Sequence, residues 1–259
     1  MLTIQTICDL IDTLAPFETQ EPYDNSGLLV GDAGWAVKGI HVALDVTDRV
    51  LDEAEAAGAN LLLTHHPMMF SARKRMTEMD TEGRLLCRMI RGRMGLIAAH
   101  TNWDRAPGGI SDALAAALGL TGVTGEGFLR VGELPEALTA EALTAWVSGR
   151  LRTPVRPMAQ WPAARRAQRV AVCGGAGSEL WEEARALGAE VFVTGEIRHH
   201  HALLAADAGM LCLEAGHFAT EEPGIFALAD ALQKQLDAVQ CKIPFTRSRA
   251  GGYACPEKR

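Results

Sequence analysis

Histidine side chains follow short apolar runs at two places in this sequence. His65 and His66 come directly after residues 61–64, LLLT, and His100 comes after residues 96–99, LIAA. Neutral imidazole is the commonest protein ligand for metal ions, and adjacent histidines at the frayed end of a strand can diverge towards two ions. These positions therefore predict a metal site. A lone His-His pair would also fit a strand end whose histidines are only hydrogen-bonded, so other parts of the chain must decide.

The apolar runs are typical of buried strands in an α/β fold. Strands are predicted at 39–45, 61–64 and 96–99, with helices at 47–57 and 81–93 between them. In an open α/β sheet the carboxyl ends of the strands form the edge where ligands bind. We therefore expect these histidines to lie at that edge.

The second half of the sequence repeats the first after 130 residues. Residues 51–65 and 181–195 are identical at 6 of 15 positions, including a Gly-Ala turn and the threonine that ends the strand. Further on, His100-x-x-x-Asp104 matches His217-x-x-x-Glu221, and each pair precedes a predicted helix. Such a repeat predicts two similar, internally duplicated α/β halves with a metal site in the cleft between them.

The repeat also predicts where the domains begin and end. The first α/β half is expected at 1–125, an inserted αβ element at 126–165 and the second α/β half at 166–259. The insert is predicted as a strand, a helix and a strand flanked by prolines. Residues 239–245 are predicted to form the last strand, before a polar tail that could be disordered or engaged with a partner chain.

Duplication would bring the donors of both halves to one cleft. Four donors come from the first half and three from the second: His65, His66, His100, Asp104, Glu196, His217 and Glu221. That number exceeds the need of one tetrahedral ion and suits two divalent ions with a bridging carboxylate. The His-x-x-x-acid spacing puts both side chains on one face of a helical turn. Because the set contains no thiolate, zinc, manganese and iron all remain open.

Composition and charge exclude several other classes of protein. The chain has 259 residues, of which 48% are hydrophobic and 22% charged, as is typical of a globular protein. A net charge of −7 disfavours nucleic-acid binding, which needs a basic surface. No apolar run reaches the roughly 18 residues of a membrane span. The six scattered cysteines and the lack of signal-peptide features predict a cytoplasmic protein.

Two other stretches leave alternatives open. The glycine-rich turn at 173–178 could hold a phosphate on its backbone N–H groups, although a simple tight turn is favoured because the pattern is not a full GxGxxG. The run His199-His200-His201 could contribute a proton shuttle or an anion contact. An exposed surface run is favoured there, since neighbouring helix positions point in different directions.

Five separated motifs together resemble the NIF-three-like dinuclear-metal-centre proteins, often called GTP cyclohydrolase I type 2 homologs. In chain order they are YDNSGLLVG, LLLTHHP, HTNWD, VTGE and AGHFATEEPGI. The resemblance implies a toroidal homohexamer, a trimer of dimers, with two metal ions in each subunit. It implies a ligand set with Glu221 as the bridge: His65, His66, Asp104, His217 and Glu221. It leaves His100 and Glu196 to orient ligands or face a substrate.

The resulting functional hypothesis is a metal-dependent hydrolase that acts on a small molecule. Water activated by the metal ions would be the nucleophile, and Glu196 or His100 would pass protons. The resemblance implies GTP as the substrate, opened by hydrolytic loss of its imidazole carbon, while phosphoester hydrolysis would use the same donors. The alternative is a non-catalytic, metallochaperone-like oligomer that only binds metal. The sequence has no basic groove that would favour DNA binding.

Overall fold

The computed structural model describes residues 2–250 of the chain and has the predicted α/β class. The chain divides into two units, each with its own sheet. The first unit contains residues 2–106 and 225–250, and the second contains Pro107–Gly224. The predicted domain boundaries at 125/126 and 165/166 remain predictions.

The first unit is built on a five-stranded sheet. Its helices are α1 (Ile4–Leu14), α2 (Asp48–Ala56), α3 (Thr81–Gly92) and α4 (Thr101–Arg105). Its strands are β1 (Gly27–Val30), β2 (Ile40–Ala43), β3 (Leu61–Thr64), β4 (Gly95–Ala98) and β11 (Phe245–Arg247), in the order β1-β4-β3-β2-β11. Strands β4, β3, β2 and β11 run parallel to one another, and β1 is antiparallel to β4.

The local sequence explains the first unit well. Strands β2, β3 and β4 are buried at every position, as continuous apolar runs predict for parallel strands covered on both faces. The hydroxyl oxygens of Thr3 and Thr47 accept a backbone N–H in the first turns of α1 and α2, and the Asp80 carboxylate does so for α3. These N-caps stabilise the starts of the three helices, of which α2 and α3 lie where the sequence predicts them.

The second unit is built on a six-stranded sheet. Its strands are β5 (Thr121–Thr124), β6 (Arg130–Thr139), β7 (Arg156–Pro157), β8 (Arg166–Cys173), β9 (Val191–Thr194) and β10 (Leu211–Glu214), in the order β5-β6-β8-β9-β10-β7. Only β8, β9 and β10 pair in parallel. The helices are α5 (Ile110–Leu118), α6 (Ala140–Leu151), α7 (Trp181–Ala186), α8 (His199–Asp207) and α9 (His217–Ala238). The chain passes from the second unit back to the first within α9.

The duplication is visible in the pairing of the parallel strands. Ile40 of β2 pairs with Leu61 of β3, and 130 residues later Val170 of β8 pairs with Val191 of β9. In the next pair of strands the offset changes, because Leu61 pairs with Gly95 whereas Val191 pairs with Leu211. The structural repeat therefore has an offset of 116 residues from β4 to β10.

This change of offset corrects one detail of the sequence alignment. The motif match set His100 on His217, an offset of 117, but the strand register makes His217 the equivalent of Thr101. Both of these residues begin a helix, α4 in the first unit and α9 in the second. His100 instead lies in the non-helical position just before its helix. The two His-x-x-x-acid motifs are thus similar in sequence but are displaced by one residue in structure.

Three elements of the structure differ from what the sequence predicts. The last strand was predicted at 239–245, but α9 extends to Ala238, the chain turns at Gln240 with a φ of 55°, and β11 begins only at Phe245. Strand β5 was not predicted, since all four of its residues are exposed and lack an apolar run. The helix predicted to follow the His217-x-x-x-Glu221 motif already includes that motif, since α9 begins at His217 and continues across Pro223. The predicted polar tail lies outside the described residues from 251 onwards.

No helix within residues 2–250 is long and apolar enough to cross a membrane.

Candidate metal centre

The first unit collects donors at the carboxyl ends of three neighbouring parallel strands. Asp45 follows β2, His65 and His66 follow β3, and His100 follows β4. The ring centroid of His65 lies 5.1 Å from that of His66 and 5.1 Å from that of His100. The ring centroids of His66 and His100 are 5.6 Å apart. One nitrogen from each of the three rings lies within 4.8 Å of the others. The expected edge of the sheet therefore carries a three-histidine cluster.

The tautomer of His65 is fixed by its surroundings. Its Nδ1 lies 2.8 Å from the carbonyl oxygen of Ala99, which can only accept a hydrogen bond, so Nδ1 carries the proton. The lone pair is then on Nε2, which lies 3.4 Å from Oδ1 of Asp104. His65 is fully buried. These two predicted ligands thus present an imidazole nitrogen and a carboxylate oxygen side by side.

A carboxylate orients His66 in the same way. The Nδ1 of His66 donates to Oδ1 of Asp45 over 2.7 Å, which leaves Nε2 as the nitrogen available to a metal. Sequence reasoning missed Asp45. Its position two residues past a buried parallel strand, like that of His66 after β3, was a signal that could have identified it.

His100 is held by a carboxylate that is remote in sequence. Its Nδ1 donates to Oδ1 of Asp24 over 2.7 Å, and the side chain of Asp24 is fully buried. The same carboxylate accepts the backbone N–H of Asn25 at 2.7 Å, the backbone N–H of Thr101 at 2.9 Å and the Thr101 hydroxyl. Burial raises the pKa of Asp24, but the hydrogen bonds from His100 and Thr101 outweigh it and hold that pKa well below its ordinary value.

The position of His100 bears on its role. The sequence resemblance left His100 outside the ligand set, to orient ligands or to face a substrate. Its ring nevertheless lies as close to His65 as the ring of His66 does. It is therefore a member of the donor cluster of the first unit, where it can either bind an ion or contact a molecule beside one.

The second unit carries a smaller donor set at the start of α9. His217 and Glu221 lie one helical turn apart, with Nε2 of the imidazole 3.1 Å from Oε2 of the carboxylate. The Nδ1 of His217 donates to Oε1 of Glu196, just after β9, over 2.7 Å. Glu196 thus orients His217 as Asp45 orients His66. Of the two glutamates, Glu221 is buried and Glu196 is exposed.

Two glycines make room for this donor pair. A Cβ on Gly175, which has a φ of 64°, would collide with Oε1 of Glu221. A Cβ on Gly195 would lie 2.6 Å from the carbonyl oxygen of Gly175 and 2.7 Å from Cα of His217. Gly195 occupies the position of His65 in the repeat. The second unit therefore has no imidazole at that strand end because the start of α9 packs against it.

The two stretches with open alternatives have other partners in the structure. In the glycine-rich turn, the N–H groups of Gly174, Gly175 and Gly177 donate to the hydroxyl oxygens of Ser111, Thr220 and Thr194. A phosphate would have to displace these hydroxyls, so a tight turn is the better description. In the histidine run, His201 contacts the Ser178 hydroxyl at 2.9 Å, and His199 and His200 are exposed.

Each unit thus has a donor set whose chemistry fits a divalent ion. Four imidazoles have Nδ1 bound to an oxygen acceptor, an arrangement that directs Nε2 towards a metal ligand position. Carboxylates stand beside two of those Nε2 atoms, and no thiolate is present among these donors. Nitrogen and carboxylate oxygen donors suit zinc, manganese and iron.

Comparisons with known proteins agree with this description. The family model for Duf34/NIF3 (NGG1p interacting factor 3) matches residues 2–250. A "GTP cyclohydrolase 1 type 2 homolog" of Clostridium perfringens is 30% identical over 246 residues, 92% of this chain and 94% of the relative. A protein of the same name from Streptomyces coelicolor is 35% identical over 237 residues, 86% of this chain and 83% of the relative.

Solved structures give the same result. The crystal structure of Staphylococcus aureus protein SA1388 covers 99% of both chains with a TM-score of 0.92 and 26% identity. The structure of reduced HcgD from Methanocaldococcus jannaschii covers 95% of this chain and 97% of its own, with a TM-score of 0.80 and 26% identity. Sequence and structure therefore agree over nearly the whole length, and this chain belongs to the Duf34/NIF3 family.

Proposed function

We propose that this chain binds two divalent metal ions in one dinuclear centre and uses them to hydrolyse a nucleotide or another phosphoester. The observation that carries the proposal is the orientation of the four imidazoles. His65, His66, His100 and His217 each bind an oxygen acceptor through Nδ1 at 2.7–2.8 Å. Histidines that serve only to cap strands have no need of this shared arrangement, whereas metal-binding histidines almost always have it.

Five side chains are the proposed ligands. They are the residues that the family resemblance implies: His65, His66, Asp104, His217 and Glu221, with Glu221 as the bridge. Glu221 is suited to bridging because it is buried and because its carboxylate already lies beside the Nε2 of His217. A bridging carboxylate uses one oxygen for each ion, so its loss should affect both.

The remaining polar groups can handle protons. A bound divalent ion supplies Lewis-acid chemistry, since it lowers the pKa of water and polarises a phosphoryl oxygen. His100, held by Asp24, has one ring nitrogen oriented away from its partner and can accept or hold a proton there. Glu196 is exposed and contacts only Nδ1 of His217 among the hydrogen bonds described for its carboxylate, so it can exchange protons with solvent.

The names of the relatives suggest the first substrate to test. Two of them carry the name GTP cyclohydrolase 1 type 2 homolog. A name records similarity and not chemistry on this chain, so GTP is proposed as one probe beside a general phosphoester.

Metal content is the measurement that tests the proposal. Elemental analysis should find about two ions per chain in the wild type and a sharp fall in Glu221→Ala, because the bridge is lost. The matched control is His200→Ala, which removes an exposed histidine and should leave the metal content unchanged. One ion or none in the wild type, or equal metal in Glu221→Ala, would contradict the dinuclear centre.

Turnover is then measured on the loaded protein. GTP and p-nitrophenyl phosphate are offered to the zinc, manganese and iron forms, with Glu221→Ala as the negative control. Hydrolysis that disappears in the variant supports the hydrolase. Two ions per chain without turnover of either compound would instead favour the alternative, a protein that binds metal without catalysis.

Assembly and location form part of the same proposal. We propose a homohexamer, a trimer of dimers, whose mass of about 167 kDa is six times the chain mass of 27.8 kDa. Light scattering after size-exclusion chromatography distinguishes this mass from that of a dimer or monomer. The five cysteines within the described residues are all free thiols, which supports a cytoplasmic location.

A further inference from the structure

Two aromatic side chains lie beside the three-histidine cluster. The ring centroid of Phe70 is 6.1 Å from that of His100, and the two rings meet edge to face at 87°. The ring centroid of Tyr23 is 6.3 Å from that of Phe70, at an angle of 63°. We call Tyr23 and Phe70 the aromatic pair. It extends the row of rings at this strand edge from the donor cluster outwards.

The aromatic pair is exposed to an unusual degree. Tyr23 is 64% exposed and Phe70 is 51% exposed, whereas most large aromatic side chains of a domain contribute to its core. Two exposed rings in contact with each other leave apolar area that a ligand can cover. The contact of Phe70 with His100 puts that area next to the donor cluster.

The residue that precedes each member of the aromatic pair in the chain, or follows it, makes hydrogen bonds that fix the backbone there. Tyr23 directly precedes Asp24, the carboxylate bound to His100. Phe70 follows Met69, which has a φ of 57°, a left-handed conformation that is uncommon for a residue other than glycine.

Two side chains hold Met69 in this conformation. Its N–H donates to Oε1 of Glu82 at 2.8 Å, and its carbonyl oxygen accepts the amide of Asn25 at 3.1 Å. A strained residue persists only where its surroundings fix it. The position of Phe70 next to His100 is therefore built into the fold and does not result from a loosely attached loop.

We propose that the aromatic pair binds a planar heteroaromatic ring of the substrate beside the metal centre. The inference deepens the proposed function and rests on it, because it assigns the substrate to the class of nucleotides instead of sugar phosphates or simple phosphoesters. Aromatic faces and edges attract the ring of any nucleobase through stacking and edge-to-face contacts, with little dependence on which base is present. Tyr23 and Phe70 are then positioning residues, and the chemistry is left to the donors.

The test compares two probes that differ only in the ring. Binding of adenosine 5′-monophosphate and of ribose 5-phosphate to the metal-loaded protein is measured by isothermal titration calorimetry. The first should bind at least about tenfold more tightly, since stacking on one aromatic side chain contributes on that scale. In Phe70→Leu and in Tyr23→Leu, the affinity for adenosine 5′-monophosphate should fall about five- to tenfold, while the affinity for ribose 5-phosphate stays unchanged.

The matched control is Met79→Ala, in the same segment between β3 and α3. Met79 is 94% exposed, so its removal should change neither affinity. Equal affinities for the two probes in the wild type, or no detectable binding of either, would overturn the proposal. So would equal losses for both probes in the two leucine variants.

Elemental analysis of every sample separates this outcome from failure of the proposed metal centre. A protein that holds two ions per chain but does not prefer the nucleotide refutes the aromatic pair alone. A protein that holds no metal refutes the proposed function, whatever its affinity for the two probes.

Discussion

Asp24 binds His100 through one carboxylate oxygen, at 2.7 Å from the imidazole Nδ1, while its other oxygen accepts the backbone N–H and the hydroxyl of Thr101. The carboxylate lies 76 residues before the imidazole in the chain. It ties the segment before β1 to the end of β4 and fixes the orientation of His100 in one interaction. A single substitution should therefore affect both stability and turnover.

We expect Asp24→Asn to lower both properties. The amide keeps one acceptor oxygen but points an NH₂ group at donors that now meet no acceptor, and an unsatisfied buried group of this kind costs about 2–3 kcal/mol. Loss of the carboxylate that orients His100, a proposed proton-handling group, should lower turnover of the metal-loaded protein about 100-fold, while its metal content stays at the wild-type level. Urea unfolding and a turnover assay measure the two effects.

Asp32→Asn is the control for Asp24→Asn. Its carboxylate accepts one backbone N–H in an exposed turn, from Gly34 at 2.7 Å, so the substitution should change stability by less than about 0.5 kcal/mol. If Asp24→Asn were as stable as this control, the buried hydrogen bonds of Asp24 would not stabilise the fold.

Asp45 offers a separation of stability from metal affinity. Its side chain is about half exposed and its described hydrogen bond is the one from Nδ1 of His66. Asp45→Asn should therefore leave the free energy of unfolding almost unchanged while it lowers metal affinity about 10- to 100-fold. Metal titration against a competing chelator measures the affinity. Full affinity in this variant would mean that His66 does not bind metal through Nε2.

The two orienting carboxylates illustrate what the sequence can predict. Asp45 follows a buried strand whose neighbours in the sheet also end in donors, so the strand pattern and the parallel sheet together contain the information. Asp24 lies in a polar turn that has no periodicity, and its role depends on a contact made only when β1 pairs with β4. Long-range pairing of that kind has no local signal.

The same contrast between local pattern and long-range pairing explains which helices and strands could be predicted. Strands β2, β3 and β4 and the helices between them were predicted because apolar runs, capping residues and turns agree with one another. Strand β5 and strand β11 were missed or misplaced because each is a short strand at a sheet edge, where pairing with a neighbour and not burial decides the conformation. The duplication was predicted, but the one-residue shift between His100 and His217 depends on strand register, which the sequence does not reveal.

Gly175 links backbone conformation to the donor set of the second unit. In Gly175→Ala the new methyl group would collide with Oε1 of Glu221, so this carboxylate must move. We expect a metal content far below that of the wild type, measured by elemental analysis. The positive φ adds a cost of about 1–2 kcal/mol to folding.

Gly127→Ala is a matched control, because Gly127 has a similar φ of 59° and no atom within 4 Å of the added Cβ. It should lose a similar amount of stability, about 1–2 kcal/mol, and keep its metal. Equal metal contents in the two variants would argue against Glu221 as a ligand, since only Gly175→Ala disturbs that side chain.

A buried histidine outside the donor set, His41 on β2, connects the sheet to the C-terminal segment. Its Nδ1 lies 2.8 Å from the hydroxyl of Thr246 on β11, and its Nε2 lies 3.6 Å from Glu53 on α2. Burial lowers the pKa of His41 below its ordinary value of 6.5, although the charge of Glu53 partly opposes this. The folded protein therefore favours the neutral imidazole.

This lowered pKa predicts a pH dependence of stability. Below pH 6.5 the unfolded chain binds a proton at His41 more readily than the folded chain does, so this contribution is present above that pH and is lost as the pH falls. In His41→Gln the free energy of unfolding should decline less steeply than in the wild type between about pH 7 and about pH 5. His200→Gln, at an exposed histidine, should keep the wild-type slope. Urea unfolding across this range tests the prediction, and parallel profiles for all three proteins would show that His41 titrates alike in both states.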